Sequence, residues 1–232
     1  MTINKTQLQA MLTLQDTFNK KVNPDWRVAN YPFVDAIWTE AGEAFNHTNW
    51  EWWKKKAEPV DVDQIKMEVV DIWHFVMSEL LNHDEVEGMS YTDIVTTIEA
   101  TVGPQVIGNP NLDMGITKTA LKEMIASALM PREEHRIMFI ISSFIKLLAA
   151  VNMNWVELYK LYIGKNTLNV FRQNNGYKTN CSEYKAKWAT EKNWEDNQFL
   201  SEYLKTLDVE DYDVTSLQEA ILNHLGELFN KF

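Results

Sequence analysis

The amino-acid sequence predicts an all-α fold, and three observations support this prediction. Apolar residues recur at intervals of three and four through most of the chain, the spacing that gives a helix one buried face. No segment shows the strict apolar and polar alternation that is typical of a half-buried strand. The chain also contains only 8 glycines and 6 prolines in 232 residues, which is few for a fold rich in turns.

The first two helices are predicted from apolar spacing and from the break between them. In residues 4–21 the apolar side chains fall on one side, as expected of an amphipathic helix. The break Asn23-Pro24-Asp25 ends that pattern. Pro32 suits a helix first turn, so a second helix is predicted over 33–45.

The third predicted helix, residues 61–82, has the longest uninterrupted helical pattern. Pro59 breaks the chain before it, and Asp61 is placed to cap its first turn. Apolar side chains cover so much of its surface that we expect this helix to lie at the centre of the fold.

The rest of the chain is less uniform but remains helical in pattern. Residues 84–116 contain short segments separated by glycine and proline, and residues 174–190 indicate loop and short helix. Asn154 is expected to cap the helix that follows it. Further helices are predicted over residues 117–129, 132–151, 155–173, 194–205 and 214–230.

Composition and charge exclude several classes of protein. The net charge of -11 argues against a general nucleic-acid binder, which needs a basic surface. The single cysteine, Cys181, cannot form an internal disulfide and fits a reducing compartment. The longest apolar stretch, Ile137 to Val151, is too short to span a membrane, and the N-terminal residues lack a signal-peptide pattern. We therefore expect a cytoplasmic protein.

Two pairs of acids lie inside otherwise apolar helical segments. They are Glu40-x-x-Glu43 and Glu68-x-x-Asp71, and the spacing puts both members of each pair on one helix face. Two such helices side by side would bring four carboxylates together, and these would repel one another unless cations neutralise them. Oxygen-rich clusters of this kind suit Mg²⁺ or Mn²⁺.

A solvated helix face is the usual explanation of an E-x-x-E pair, but the apolar neighbours favour metal binding here. His74 shares the face of Asp71, and for Mg²⁺ we expect it to donate or accept hydrogen bonds beside the site rather than to bind the ion. Glu79, further along the same segment, is expected to be solvated.

A second polar cluster combines positive charge with amide groups. Lys165, Asn169 and Arg172 share one helix face and together have the character of a triphosphate clamp. The following residues Tyr177, Lys178 and Lys185 could close over the same anion. Without the acid pairs, an ordinary basic helix face would be the favoured explanation of this cluster.

These motifs occur in an order that resembles a known family. The ordered set is Gln15-x-x-x-Asn19, the first acid pair, a Trp-rich segment, Glu68-x-x-Asp71-x-x-His74-Phe75, and Gly-Lys-x-x-Leu-Asn-x-Phe-Arg followed by Gly-Tyr-Lys. It resembles the dimeric dUTPases of the all-α NTP pyrophosphatase superfamily, including their phage dCTPase/dUTPase relatives. The resemblance covers about residues 8–82 and 155–198.

The resemblance implies a multi-helix bundle and a Mg²⁺-dependent hydrolase, with Mn²⁺ as a possible substitute. The enzyme would convert dUTP, and also dUDP, to dUMP. It would be a cytoplasmic homodimer of a bacterial or phage-infected cell, with residues 1–232 as one domain and a helical insert at about 84–150.

The implied metal ligands are Glu40, Glu43, Glu68 and Asp71. The implied base-binding residues are Gln15, Asn19, Trp50, Trp53 and His74. The implied phosphate-binding residues are Lys165, Asn169, Arg172, Tyr177, Lys178, Lys185 and Asn197.

Several alternatives stay open from the sequence. Glu43 or Glu40 could be the general base, and we favour Glu43. The amides of Gln15 and Asn19 match uracil, but flipped amides would match cytosine, so a dCTP or broader NTP pyrophosphatase is the alternative enzyme. A di-iron helical carboxylate protein is less favoured because such proteins use Glu-x-x-His pairs. A non-catalytic helical scaffold is the third possibility.

Overall fold

The computed structural model describes residues 4–55, 60–82, 88–102, 112–131, 136–188 and 194–231. Within these residues the secondary structure is helical and contains no strand, so the all-α prediction is confirmed. The α-helices are α1 Lys5–Val22, α2 Phe33–Asn46, α3 Val62–Leu81, α4 Tyr91–Val102, α5 Met114–Ala128, α6 Arg136–Ala150, α7 Trp155–Asn174, α8 Cys181–Ala186, α9 Asp196–Lys205 and α10 Val214–Phe229.

Local capping explains where several of these helices begin. The side chain of Asp61 accepts a hydrogen bond from the backbone N–H of Gln64 at 3.1 Å, as the sequence predicts for α3. Asn154 likewise accepts from the backbone N–H of Glu157 at 2.8 Å before α7. Both side chains bond N–H groups that have no partner within the helix.

One helix lies in the region that the sequence indicates as irregular. α4 follows a reciprocal cap in which Asp93 N–H donates to Ser90 Oγ and Ser90 N–H donates to Asp93 Oδ2, each at 3.2 Å. Ile94 and Ile98 on α4 are buried. These two residues have helical spacing in the sequence, but the glycines and prolines nearby favour a prediction of short, irregular segments.

The chain divides into two compact units, Met1–Leu158 and Tyr159–Phe232. In the first unit α3 packs against α1, α2 and α6, and α5 packs against α2 and α6. Nearly every side chain in the second half of α3 is buried, which confirms its predicted central position. Trp73 at its middle stacks on Phe144, with ring centroids 4.6 Å apart.

Glu79 on α3 does not face solvent, so that prediction was wrong. Its side chain is buried and forms an ion pair with Arg136 on α6, which is also buried. The partner lies far along the chain, and a helical pattern cannot reveal such a pair. Burial is tolerated because each charge has an opposite charge beside it.

Asp16 anchors α1 within the first unit. Its buried carboxylate accepts hydrogen bonds from Lys20 Nζ at 2.7 Å, Trp26 Nε1 at 3.2 Å, Arg27 Nη2 at 3.1 Å and Tyr91 Oη at 2.7 Å. Burial alone raises the pKa of Asp16, but these donors and positive charges outweigh burial and lower it. Burial of the phenol, together with its hydrogen bond to Asp16, raises the pKa of Tyr91 to about 12. This network holds the end of α1 in place.

Aromatic side chains form much of the core of the second unit. Phe171 on α7 and Tyr184 on α8 both contact Phe229 on α10, with ring centroids 5.3 and 5.2 Å apart. Trp188 joins the same cluster, 5.7 Å from Phe229. The short helix α8 is thereby held against the longer helices.

The crossing of α7 and α9 requires glycine at position 164. A Cβ atom built on Gly164 would lie 2.5 Å from Leu204 Cδ1, and Leu204 is itself buried. We expect Gly164→Ala to lower the free energy of unfolding by about 1–3 kcal/mol, the usual cost of overpacking. Urea denaturation measures this change.

Gly226→Ala is the matched control, because nothing lies near its added Cβ and alanine favours helix by about 0.5–1 kcal/mol. Equal effects at the two sites would contradict the packing argument.

Within the described residues, no single helix is long and apolar enough to cross a membrane. One pair of helices with a bend between them, Arg136–Ala150 and Trp155–Asn174, reaches the necessary length and apolar composition only when the two helices are counted together.

Candidate active site

Three of the four predicted metal ligands come together between α2 and α3. Glu40 on α2 and Glu68 and Asp71 on α3 each offer one carboxylate oxygen, and these oxygens lie within 4.8 Å of one another. All three side chains are half-buried. The spacing of Glu68 and Asp71 on one helix face explains why both reach Glu40.

The donor set of this acid group fits a hard divalent cation. Carboxylate oxygens are the ligands that Mg²⁺, Mn²⁺ and Ca²⁺ prefer, and half-buried carboxylates this close repel one another when no cation is bound. His47 Nε2 lies 3.8 Å from Glu68 Oε1, at the edge of the group. Glu43, an exposed residue one turn from Glu40, is not among the three. Its predicted ligand role stays a prediction.

An apolar cleft lies beside the acid group. Its volume is about 470 Å³, within the range of small-molecule sites. Its wall includes Phe18, Asn19, Val22, Trp26, Tyr31, Pro32, Phe33, Asp35, Ala36, Thr39 and Phe75.

Helical spacing fixes how the cleft and the acid group are related. Ala36 precedes Glu40 by four residues on α2, whereas Phe75 follows Asp71 by four residues on α3, yet both line the cleft. The two helices therefore run antiparallel, and the cleft lies about one turn, or roughly 5 Å, from the acids.

The predicted base-reading amides meet at the end of α1. Gln15 Nε2 donates to Asn19 Oδ1 at 3.1 Å and to Ser78 Oγ at 3.0 Å. Asn19 Nδ2 also donates to Ser78 Oγ, at 2.9 Å. Ser78 is not among the residues predicted from the sequence, although it lies four residues after His74 on the same face of α3. Only the packing of α1 on α3 makes it part of the cluster.

His74 and the two tryptophans have different surroundings from the amides. His74 is buried, and its Nδ1 lies 2.9 Å from the backbone oxygen of Val70. Trp50 and Trp53 pack edge to face after α2, with ring centroids 5.2 Å apart, and neither lines the cleft. Their predicted contacts with a base stay predictions.

Arg172, the centre of the predicted phosphate clamp, is bound to an acid in the second unit. Its Nε and Nη2 donate to the two oxygens of Asp196 at 2.8 and 2.7 Å. Tyr184 Oη donates to the same carboxylate at 2.9 Å, and Nη1 of Arg172 donates to Asn169 at 3.4 Å. The guanidinium also lies over the ring of Tyr177, 5.0 Å from its centroid. Asp196 is not among the partners predicted from the sequence.

This ion pair is charged over a wide pH range. Burial raises the pKa of Asp196, but the hydrogen bonds and positive charge of Arg172 outweigh burial and hold the pKa below its ordinary value. The carboxylate in turn raises the pKa of Arg172 against the effect of burial. A phosphate that binds Arg172 must therefore use an N–H of Nη1 or Nη2 that Asp196 does not engage, or compete with a fixed carboxylate.

The other predicted phosphate-binding residues lie at different positions of the second unit. Lys165 is buried and donates to Asn197 Oδ1 at 3.0 Å. Lys185 lies 3.7 Å from Glu195, and Lys178 is exposed. A cleft of about 190 Å³ is lined by Arg172, Tyr177, Tyr184, Lys185, Trp188, Trp194, Glu195 and Asp196.

A family model of dUTPases matches residues 7–177, about three quarters of the chain. The chain belongs to the dUTPase family. The matched range includes the amides, the acid group and Arg172, and it continues through the region in which the sequence analysis found no motif. A comparison with curated proteins finds no significant match.

Membership of the dUTPase family confirms the predicted resemblance and the all-α fold type. It supports a nucleotide substrate and dUTP hydrolysis as the general activity. dUTPases generally use a divalent metal, and the group Glu40, Glu68 and Asp71 is a candidate site for one. Lys178, Lys185 and Asn197 lie beyond the matched range, so their roles rest on position alone.

Proposed function

We propose that this protein hydrolyses dUTP to dUMP and pyrophosphate, and dUDP to dUMP and phosphate, with Mg²⁺ or Mn²⁺. The observation that carries the proposal is the acid group one helical turn from a cleft whose wall includes Asn19. Ser78, beside the amides, follows Asp71 by seven residues, which is about 10 Å along α3. That separation is comparable with the distance from the base edge to the phosphate in a pyrimidine nucleotide.

Glu40, Glu68 and Asp71 would hold the cation, with Glu43 as a further ligand or as the base. When bound, the cation supplies Lewis-acid stabilisation of the phosphate oxygens and acidifies water. Glu43 is exposed beside the group, so its carboxylate can accept the proton of the attacking water. Water adds to phosphorus, and the bond between the α- and β-phosphates breaks, which releases dUMP and pyrophosphate.

The cleft would bind the base and the deoxyribose. Its wall is mainly apolar, with Phe75 and Phe18 available to pack against a pyrimidine or a sugar without a 2′-hydroxyl. Asn19 is an amide in the same wall and can hydrogen-bond the edge of the base. Gln15, His74, Trp50 and Trp53 are not part of the cleft wall, and their contacts with the base stay predictions.

The cationic residues of the second unit would bind the phosphates. Arg172 can offer an anion the guanidinium N–H groups that Asp196 does not engage, while Asp196 fixes its orientation, and Lys165 is similarly oriented by Asn197. Asn169, Tyr177, Lys178 and Lys185 complete the proposed set. A homodimer in the cytoplasm, as the resemblance implies, is part of the same proposal.

Pyrophosphate release from dUTP, dCTP, dTTP and UTP, each with Mg²⁺ and with EDTA, tests the proposal. We expect rapid release from dUTP with Mg²⁺ and a fall of at least about 10³-fold with EDTA, since a metal supplies several kcal/mol of charge stabilisation. Faster release from dCTP would overturn the substrate but keep the metal site. No release from any nucleotide would overturn the proposed function.

A further inference from the structure

Ser78 is the point at which the two base-reading amides are joined to α3. Its side chain is completely buried, with a relative exposure of 0%. Its Oγ is 3.0 Å from Gln15 Nε2, 2.9 Å from Asn19 Nδ2 and 3.0 Å from the backbone oxygen of His74. A hydroxyl group has one proton to donate and two lone pairs to accept, so these three bonds use its full capacity.

The bond to His74 determines the direction of the other two. A backbone carbonyl can only accept, so the single proton of Ser78 is directed to His74. Ser78 Oγ can then only accept from Gln15 and Asn19, and both amides must turn their NH₂ ends toward it. The donor and acceptor chemistry of the hydroxyl group therefore determines which end of each amide faces Ser78.

The same network fixes what Asn19 offers to the cleft. Its Oδ1 accepts from Gln15 Nε2, and one proton of its Nδ2 is donated to Ser78. The other proton of Nδ2 is the group that Asn19 can offer to a ligand in the cleft it lines. Flipping Asn19 would place its oxygen against Ser78 Oγ, which has no second proton, and would lose the bond from Gln15.

We infer that Ser78 is a specificity-determining residue, which makes the cleft select uracil over cytosine by locking both amides in one orientation. At position 4 uracil carries a carbonyl acceptor, and cytosine carries an amino donor. In this inference the position-4 edge of the base faces Asn19, where a fixed N–H complements the carbonyl and opposes the amino group, since two facing donors leave both without a partner. This inference rests on the proposed function and favours uracil over cytosine, the two alternatives that the sequence left open.

Ser78→Ala removes the hydroxyl and allows the amides to rotate. We expect the ratio of kcat/KM for dUTP to that for dCTP to fall at least about tenfold, mainly through a higher KM for dUTP, while kcat changes less. Ser78→Thr keeps the hydroxyl and should retain the ratio. Ser127→Ala is the matched control, because Ser127 is a buried serine that bonds only a carbonyl of its own helix among the contacts described, Met124 O at 2.8 Å.

The outcomes separate this inference from the proposed function. Wild-type protein that hydrolyses neither nucleotide overturns the proposed function. Wild-type protein that prefers dUTP, together with a Ser78→Ala variant that keeps the same ratio, overturns the role of Ser78 alone. A wild-type protein without preference also overturns it. Should the alanine variant fail to fold, Ser78→Cys fills the site with a slightly larger, weak acceptor and is expected to lower the ratio as well.

Discussion

Replacing Glu68 by glutamine is expected to lower dUTP turnover by at least about 10³-fold, because the acid group would lose charge and one oxygen ligand for its cation. Asp71→Asn should behave in the same way. Neither change alters side-chain volume appreciably, and both side chains are only half-buried, so the fold should persist. Steady-state kinetics with Mg²⁺ and Mn²⁺ binding followed by electron paramagnetic resonance measure the two effects.

A matched acid separates the site from general loss of negative charge. Glu123→Gln on α5 removes an equal charge from an exposed ion pair with Lys146, 3.2 Å away, and should leave turnover and Mn²⁺ affinity unchanged. Normal Mn²⁺ affinity in the Glu68→Gln variant would show that the cation binds elsewhere.

Glu43 gives a different expected pattern because it lies outside the group of three oxygens. Glu43→Gln should reduce turnover by about 10²–10⁴-fold, the usual contribution of a general base, while Mn²⁺ affinity is retained. Loss of both properties would make Glu43 a ligand. Near-normal turnover would contradict any catalytic role for it.

The Asp196→Asn variant is expected to lose about 3–5 kcal/mol of unfolding free energy. It leaves the partly buried guanidinium of Arg172, with 16% of its side chain exposed, without its counter-ion, and an unpaired charge there is expensive. Urea denaturation monitored by tryptophan fluorescence measures the change. Glu202→Gln on the same helix is the control, because its pair with Lys205 is exposed and should contribute at most about 1 kcal/mol. Similar losses of unfolding free energy in the two variants would show that the Asp196 pair contributes no more to stability than an exposed ion pair does.

The ion pair between Arg172 and Asp196 makes the free energy of unfolding depend on pH. The pKa of Asp196 is lower in the folded protein than its ordinary value, so the unfolded chain takes up the proton first as the pH falls. The contribution of the pair is therefore complete above about pH 4 and decreases below it. Asp196→Asn should remove part of this acid dependence, which unfolding curves at several pH values would show.

The sequence predicts the helices well because helix formation depends on neighbouring residues. Apolar spacing and the caps Asp61 and Asn154 are local features, and they agree with the structure. The acid group is also predictable in large part, since the i and i+3 spacing of Glu68 and Asp71 is a property of one helix.

Contacts between distant segments account for what the sequence analysis missed. Glu79 seemed solvated because Arg136 lies 57 residues away. Ser78 had no visible role because its amide partners are on α1. Arg172 was predicted to bind phosphate alone because Asp196 lies 24 residues further along the chain, and the sequence does not indicate that the two side chains meet. In each case packing supplies a polar partner that periodicity cannot indicate.

A crystal structure with Mn²⁺ and a non-hydrolysable α,β-imido analogue of dUTP tests the central claim most directly. Anomalous scattering locates the metal independently of the other atoms. The account predicts an anomalous peak bound by Glu40, Glu68 and Asp71, with the uracil in the cleft beside Asn19. A metal held by other residues, or a base bound outside this cleft, would contradict it.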